Sequence, residues 1–204
     1  MTHPKINASV SDHGTLRASI GLTVLSIVGF GLLYSLAGVG IGQALFRATA
    51  NGSLIERNGV TIGSTLVAQP FVDEGYFQAR PSAAAYNPMA AAGSNQARTN
   101  PDLIKRLNDT VAEVARRENI APSAVPSDLV TQSGAGLDPH ISPQAAAVQI
   151  ARVARARGVS AQQIDSLVAR YTEGAQFGML GQPRVNVLAL NLALDQAMPV
   201  LEKR

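Results

Sequence analysis

The chain has 204 residues and a formal net charge of +3 at pH 7, and it contains no cysteine. The missing cysteine excludes disulfides, thiol catalysis and cysteine-ligated metals. Basic residues are scattered and only 4% of the chain is aromatic, so a nucleic-acid-binding face is not expected. His140 is the one histidine of the predicted folded domain, whereas His3 and His13 precede it, so no transition-metal site is predicted.

An uncharged stretch near the start of the chain is long enough to cross a membrane. It runs from Ala18 to Phe46, between Arg17 and Arg47, and a helix needs about 20 apolar residues to span the hydrocarbon core. A cleaved signal peptide has an apolar region of only roughly 7–15 residues, so a retained anchor is the favoured interpretation. The predicted organisation is a tail over residues 1–17, a transmembrane helix over 18–46 and a soluble domain over 47–204.

Small residues recur at four-residue spacing within this stretch. They are Gly31, Ser35, Gly38 and Gly42. Small residues on one face let a second helix approach closely in lipid, which would make this face a docking stripe for a partner helix. Glycine is also common in membrane helices in general, so the composition explains the pattern equally well.

The first part of the predicted domain contains a strand, a long irregular segment and a helix. Residues 51–59 are typical of a connector, and the β-branched run from Val60 to Gln69 predicts a strand with a possible bulge at Gly63. Residues 71–98 are rich in turn-forming residues and aromatics, and loops of this length are usually functional or packed by their own side chains. Asn100 and Pro101 then predict the start of a helix that ends near Arg117.

The second part is mainly helical. Ser142 and Pro143 predict a helix that ends at Arg157, and Ser160 with Gln163 predicts a capping box opening a helix that runs to Gly174. A last helix is predicted from about Val187, with a strand as the alternative. The basic residues at 152, 155 and 157 are interpreted as a solvated helix face. The fold class is α+β, a single N-terminal transmembrane helix followed by one compact domain of helices and strands.

The residues most suggestive of chemistry lie close together near the middle of the chain. Ser133, Asp138 and His140 have the side chains of a hydrolytic triad, but no G-x-S-x-G motif surrounds the serine, so no catalytic residue is predicted. Gly134 and Gly136 form a turn that offers backbone N–H groups to an anion. These five residues are therefore the candidate cofactor-binding set, with ordinary turn and cap chemistry as the alternative explanation, which the glycine turn favours because it lacks the spacing and the lysine of a phosphate loop.

Arg80 is a further candidate. It lies beside Pro81, and its guanidinium suits a carboxylate either within the domain or on a partner chain.

The motifs together resemble the C subunit of the bacterial potassium-transporting Kdp ATPase. The resemblance runs through nearly the whole chain and rests on the early span and on the following runs: Gly75-Tyr76-Phe77-x-x-Arg80-Pro81-Ser82-Ala83, Gly93-Ser94-Asn95, Val125-Pro126-x-Asp128-Leu129-Val130-Thr131, Ser133-Gly134-x-Gly136-Leu137-Asp138-Pro139-His140-Ile141-Ser142-Pro143, Gly181-x-Pro183-Arg184-Val185-Asn186-Val187-Leu188 and Leu190-Asn191-Leu192-Ala193-Leu194-Asp195.

The resemblance implies a non-catalytic subunit in a complex of the bacterial inner membrane. Its partners would be a channel-like subunit that binds potassium, the transported ion, and a P-type ATPase subunit that hydrolyses ATP. The family is described as stabilising the complex and raising the ATP affinity of the catalytic subunit. The resemblance also implies a cytoplasmic N-terminus and a C-terminal domain on the outer face, an orientation that the flanking basic residues do not decide.

Two other functions remain open from the residues alone. One is a membrane-tethered hydrolase that uses Ser133 and His140. The other is a nucleotide-binding module that acts without partners.

Overall fold

A computed structural model describes residues 12–199, and the chain divides into two units between Ser53 and Leu54. The described part of the first unit is helical: α1 (Asp12–Ser26), a π-helical segment (Ile27–Leu33), α2 (Tyr34–Leu45) and the short α3 (Arg47–Ala50). Gly14–Leu45 is long and apolar enough to cross a membrane, and its large apolar side chains are exposed. The long N-terminal apolar helix of the predicted fold is therefore confirmed.

The predicted boundary at residue 17 falls inside this helix, since Asp12–Ser26 is continuous α-helix. The earlier part of the predicted tail, residues 1–11, lies outside the described residues. Within the helix, Gly31 lies in the π-helical segment, and Ser35, Gly38 and Gly42 lie in α2. The Ser35 hydroxyl donates a long hydrogen bond of 3.5 Å to the Phe30 carbonyl, five residues earlier.

The second unit combines short strands with longer helices, as an α+β fold does. Its elements, in chain order, are β1 (Leu54–Arg57), β2 (Val60–Ser64), α4 (Pro101–Glu118), β3 (His140–Ile141), α5 (Pro143–Ala147), α6 (Ile150–Arg157), α7 (Ala161–Arg170), β4 (Thr172–Glu173), β5 (Arg184–Asn186) and α8 (Val187–Ala197). Single 3-10 turns occur at Pro88–Ala90, Pro122–Ala124 and Ser127–Leu129.

Strands β1 and β2 form a hairpin, of which the sequence predicted only the second strand. The predicted connector contains β1, and β2 ends at Ser64 rather than at Gln69. Asn58 and Gly59 both have positive φ (53° and 76°), as the two central residues of a type I′ turn do. The register shifts where Ile55 pairs with Gly63 and Glu56 with Thr61, so the irregularity lies next to the predicted glycine.

A small antiparallel sheet with strand order β3-β5-β4 organises the rest of the domain. Ile141 and Thr172 both pair with Val185, the fully buried centre of β5. The core around it gathers side chains from helices α4 to α8, from β3, from the Ser127–Leu129 turn and from the irregular segment before α4: Phe77, Val114, Leu129, Ile141, Ala145, Val153, Ile164, Leu167, Leu190 and Leu194.

Local start signals position the helices as predicted. The Asn100 side chain accepts from the Asp102 N–H at 2.9 Å, and the Ser142 hydroxyl accepts from the Ala145 N–H at 3.0 Å. Ser160 and Gln163 form the complete capping box. Helix α8 begins at Val187, directly after β5, so the predicted helix and its strand alternative each describe part of this stretch.

Two predicted helices differ in extent. The helix expected from Pro143 to Arg157 is two helices, α5 and α6, separated at Val148 and Gln149. At this break the Gln149 side chain is fully buried and contacts the backbone of a distant segment. Helix α7 ends at Arg170 rather than at Gly174, because the chain turns there into β4.

Candidate functional site

Residues 74–80 form an irregular segment, here called the clamped segment, that is held by buried polar side chains. Asn191 of α8 accepts from the Phe77 N–H and donates to the Phe77 carbonyl, both at 2.8 Å. Gln149 accepts from the Gln78 N–H at 2.8 Å and donates to the Gln78 carbonyl at 3.2 Å. The two amides replace the partners that a strand would supply, so the Phe77 ring enters the core without leaving its backbone unpaired.

Two arginines of α6 complete the hold on this segment. Arg152 donates from Nη1 to the carbonyls of Glu74 (2.6 Å) and Tyr76 (2.9 Å), and Arg157 donates from Nε to the carbonyl of Gly75 (2.7 Å). Their exposed fractions are 2% and 3%. The solvated interpretation is therefore wrong for both, while Arg155 on the same helix is exposed as predicted.

Both buried arginines also pair with acidic side chains. Arg152 Nε lies 2.9 Å from Oε2 of Glu118, a buried residue that also accepts from Arg117. Arg157 lies 3.0 Å from Asp195, which accepts a hydrogen bond from the Tyr76 hydroxyl. Burial, and then the bond to Asp195, raises the pKa of the Tyr76 phenol. A buried charge is tolerated only when it is paired in this way, so these contacts serve the fold.

The clamped segment ends at Arg80, which joins the candidate residues of the later loop. Arg80 Nη1 lies 3.0 Å from Asp138 Oδ2, and His140 Nδ1 lies 3.3 Å from Asp138 Oδ1. The hydrogen bond from His140, assisted by Arg80, lowers the pKa of the Asp138 carboxyl against the opposing effect of burial. The carboxylate partner of Arg80 therefore lies within the domain.

Ser133 is not arranged as a nucleophile. Its hydroxyl is 3.4 Å from the Asp138 N–H, and no Ser133–His140 hydrogen bond is present within residues 12–199. Asp138 instead accepts from the His140 N–H at 3.0 Å, as in an Asx turn. A hydrolase requires the base within hydrogen-bond reach of the hydroxyl, so this geometry does not favour the hydrolase alternative.

Gly136 of this loop and Gly93 of the preceding segment permit close backbone packing. The Ser82 hydroxyl donates to the Gly136 carbonyl at 2.6 Å, and a Cβ on Gly136 would lie 2.9 Å from the Ala92 carbonyl oxygen. A Cβ on Gly93 would lie 2.7 Å from the Gly134 carbonyl oxygen. These approaches explain the glycines at positions 93 and 136, whereas a Cβ on Gly134 would meet no atom within 4 Å. Cofactor binding by Ser133, Gly134, Gly136, Asp138 and His140 stays a prediction.

An open depression of about 320 Å³ lies beside this loop. Arg80, Asp128, Asp138, His140 and Arg184 contribute its charged or titratable lining. Asp128 accepts from the Ser142 N–H at 2.6 Å, and Arg184 lies 2.8 Å from Glu173. Two arginines face two aspartates here, so the depression has no strong preference for anions or cations.

Comparison with known proteins finds one family model and several relatives that are similar to this chain over most of its length. A family model described as "KdpC: K+-transporting ATPase, c chain" matches residues 16–196. The chain is 61% identical over 187 residues to the potassium-transporting ATPase KdpC subunit of Xanthomonas axonopodis pv. citri, covering 91% of both chains. The KdpC subunit of Xanthomonas oryzae pv. oryzae is 60% identical over 91% of this chain and 89% of its own length. That of Shewanella putrefaciens is 50% identical over 89% of both.

Proposed function

This chain belongs to the KdpC family, and on that premise we propose that it is a non-catalytic accessory subunit of an ATP-driven potassium pump. The observation that carries the proposal is the family match over residues 16–196, which includes both the apolar helix and the folded domain. The relatives are named as subunits of a potassium-transporting ATPase. The site geometry agrees with this role, because the charged side chains around Asp138 are engaged with one another.

Deletion of the chain tests this role. A bacterial pump that carries an affinity tag on a large subunit is purified with and without this chain, and potassium transport is measured in both preparations. We expect the chain to co-purify with the two large subunits and its omission to lower both complex yield and transport. An intact pump with full transport in its absence would refute the proposal.

The same proposal assigns the membrane topology. We place residues 18–46 in the inner membrane, residues 1–17 in the cytoplasm and residues 47–204 on the outer face. Because the chain has no cysteine, Arg155→Cys on the exposed side of α6 introduces a single thiol. An impermeant thiol reagent added to intact cells should label it, and labelling only after the membrane is opened would reverse the assigned orientation.

The small residues of the apolar helix are the proposed contact with a partner's membrane helix. They are Gly31, Ser35, Gly38 and Gly42. Gly38→Leu or Gly42→Leu should lower recovery of the complex in mild detergent, because a bulky side chain prevents close helix approach. Gly40→Leu, on another face, is the matched control. Equal recovery of all three variants would remove the stripe from the proposal.

We further propose that the chain raises the ATP affinity of the catalytic subunit indirectly. ATP is cytoplasmic, so a domain on the outer face acts only through a difference in its affinity for the pump's conformational states. The KM for ATP should then rise when the chain is omitted. Direct binding by the Ser133–His140 loop is the competing route, and it requires ATP to bind the isolated full-length chain and His140→Ala to weaken that binding.

A further inference from the structure

The connection between β4 and β5 exposes an apolar tip that the proposed function leaves unexplained. Phe177 and Met179 are each 81% exposed, and Leu180 is 57% exposed. The three side chains lie within four consecutive residues, and the core of the domain does not include them. We call Phe177–Leu180 the apolar tip.

The tip is held in one shape by its own backbone. Gln176 and Leu180 exchange both backbone hydrogen bonds, at 2.8 and 2.9 Å, and the Met179 N–H donates to the Gln176 carbonyl at 3.2 Å. Phe177 and Gly178 have φ of 55° and 73°, the left-handed pair that a type I′ turn requires. Asn-Gly or Asp-Gly satisfies this turn best, and an aromatic residue in the first position carries backbone strain. The strained position is thus occupied by a large ring that the fold does not use.

The charge pattern distinguishes the kinds of surface that the tip fits. Residues 174–183 contain no acidic, basic or histidine side chain. The nearest cation along the chain, Arg184, is engaged with Glu173 at 2.8 Å. Segments that bind membrane surfaces combine apolar side chains with free lysines or arginines, which this loop lacks. An uncharged, preformed knob instead complements an uncharged pocket of fixed shape, where burial of an aromatic anchor provides the binding energy.

We propose that the apolar tip docks into an uncharged apolar pocket on another polypeptide of the same membrane complex, with Phe177 as its anchor. The proposal rests on the proposed function for the existence of that complex. It adds a contact made by the folded domain to the one made by the membrane helix. Because the turn is preformed, little conformational entropy is lost when it binds.

Phe177→Asn tests the anchor without endangering the fold. It creates no new contact, and asparagine suits the left-handed position before Gly178 better than phenylalanine does. Purified full-length chain is titrated into pump prepared without it, and restored ATPase activity is followed. We expect Phe177→Asn to need about tenfold more chain for half-restoration, the loss expected for an unburied aromatic anchor. Met89→Asn, at a residue 93% exposed elsewhere in the domain, is the control and should titrate like the natural chain.

A photoreactive phenylalanine analogue at position 177 identifies what the tip touches. Irradiation of the assembled complex should join this chain to another subunit, and the same analogue at position 89 should give no such product. Adducts with lipid alone, or a Phe177→Asn titration that overlays the control, would overturn the proposal. Failure of the unmodified chain to restore activity would instead count against the proposed function itself.

Discussion

The clamped segment and the apolar tip are both irregular, yet they relate to the rest of the domain in opposite ways. Residues 74–80 lack a strand partner, and four buried polar side chains from α6, α8 and the α5–α6 break supply their backbone hydrogen bonds. The apolar tip makes its backbone hydrogen bonds within its own turn, and its apolar side chains are exposed to solvent.

The difference separates residues that serve the fold from residues available to partners. In the clamped segment, polar groups are buried and an aromatic ring, Phe77, lies in the core. In the apolar tip, the ring of Phe177 is exposed to solvent and is not part of the core of the described domain. The most polar buried cluster of the domain is therefore structural, while an uncharged turn is the better candidate for recognition.

The largest effect expected is on the clamped segment. Arg152→Met should lower the free energy of unfolding by about 3–5 kcal/mol, because the buried Glu118 would keep only Arg117 as its partner and the carbonyls of Glu74 and Tyr76 would lose their donor. The measurement is thermal or denaturant unfolding of the full chain in mild detergent. Arg155→Met, at an exposed position of the same helix, is the control. If the two variants unfold alike, the clamp does not stabilise the domain.

A smaller loss of folding stability is expected when the side-chain amide of Asn191, which pairs with the Phe77 backbone, is removed. Asn191→Leu keeps the branched shape of the side chain but leaves the Phe77 N–H and carbonyl unpaired in the core, at a cost of about 2 kcal/mol. The same unfolding measurement should find Gln196→Leu, on the exposed side of α8, close to the natural chain. A neutral Asn191→Leu would mean that water or a shifted backbone replaces the amide.

The apolar tip should respond in the opposite direction. Phe177→Asn is expected to raise the free energy of unfolding by roughly 0.5–1 kcal/mol, since asparagine tolerates the left-handed conformation better. Phe177→Ser removes the same ring without that preference and should be nearly neutral. Destabilisation by both substitutions would indicate that the ring packs on the domain after all.

The smallest expected effect is on the pH dependence of the free energy of unfolding, through the carboxyl of Asp138. Because the pKa of Asp138 is lowered in the folded chain, its contribution to the free energy of unfolding is complete above about pH 5 and is lost as the pH falls through that lowered pKa. Asp138→Asn should cost about 0.5 kcal/mol at pH 7, as expected for a partly exposed pair, and progressively less as the pH falls through the lowered pKa. Unfolding measured at several pH values checks this, and a difference that persists at low pH would exclude the carboxylate as its source.

Local signals explain what the sequence predicted well. Asn100-Pro101, Ser142-Pro143 and the Ser160–Gln163 box all act within a few residues, and each begins a helix in the structure. The Asn58-Gly59 turn is equally local, so the β1–β2 hairpin was predictable although it was predicted only in part.

The partners of the buried arginines could not be predicted from the sequence, because they lie far away along the chain. Arg152 meets Glu118 across 34 residues and Tyr76 across 76, so nothing near it distinguishes it from the solvated Arg155. Arg80 likewise meets Asp138 across 58 residues. The residues of the candidate loop can be read from the sequence, but only their geometry separates turn chemistry from a catalytic arrangement.

The most direct test of whether the clamped segment stabilises the domain while the apolar tip binds a partner is to measure two quantities in one preparation. For Arg152→Met and Phe177→Asn, both the melting temperature of the chain and its recovery with the tagged pump are determined. The account predicts a lower melting temperature for Arg152→Met, and for Phe177→Asn an unchanged or higher melting temperature with reduced recovery. Recovery that simply follows melting temperature in both variants would contradict it.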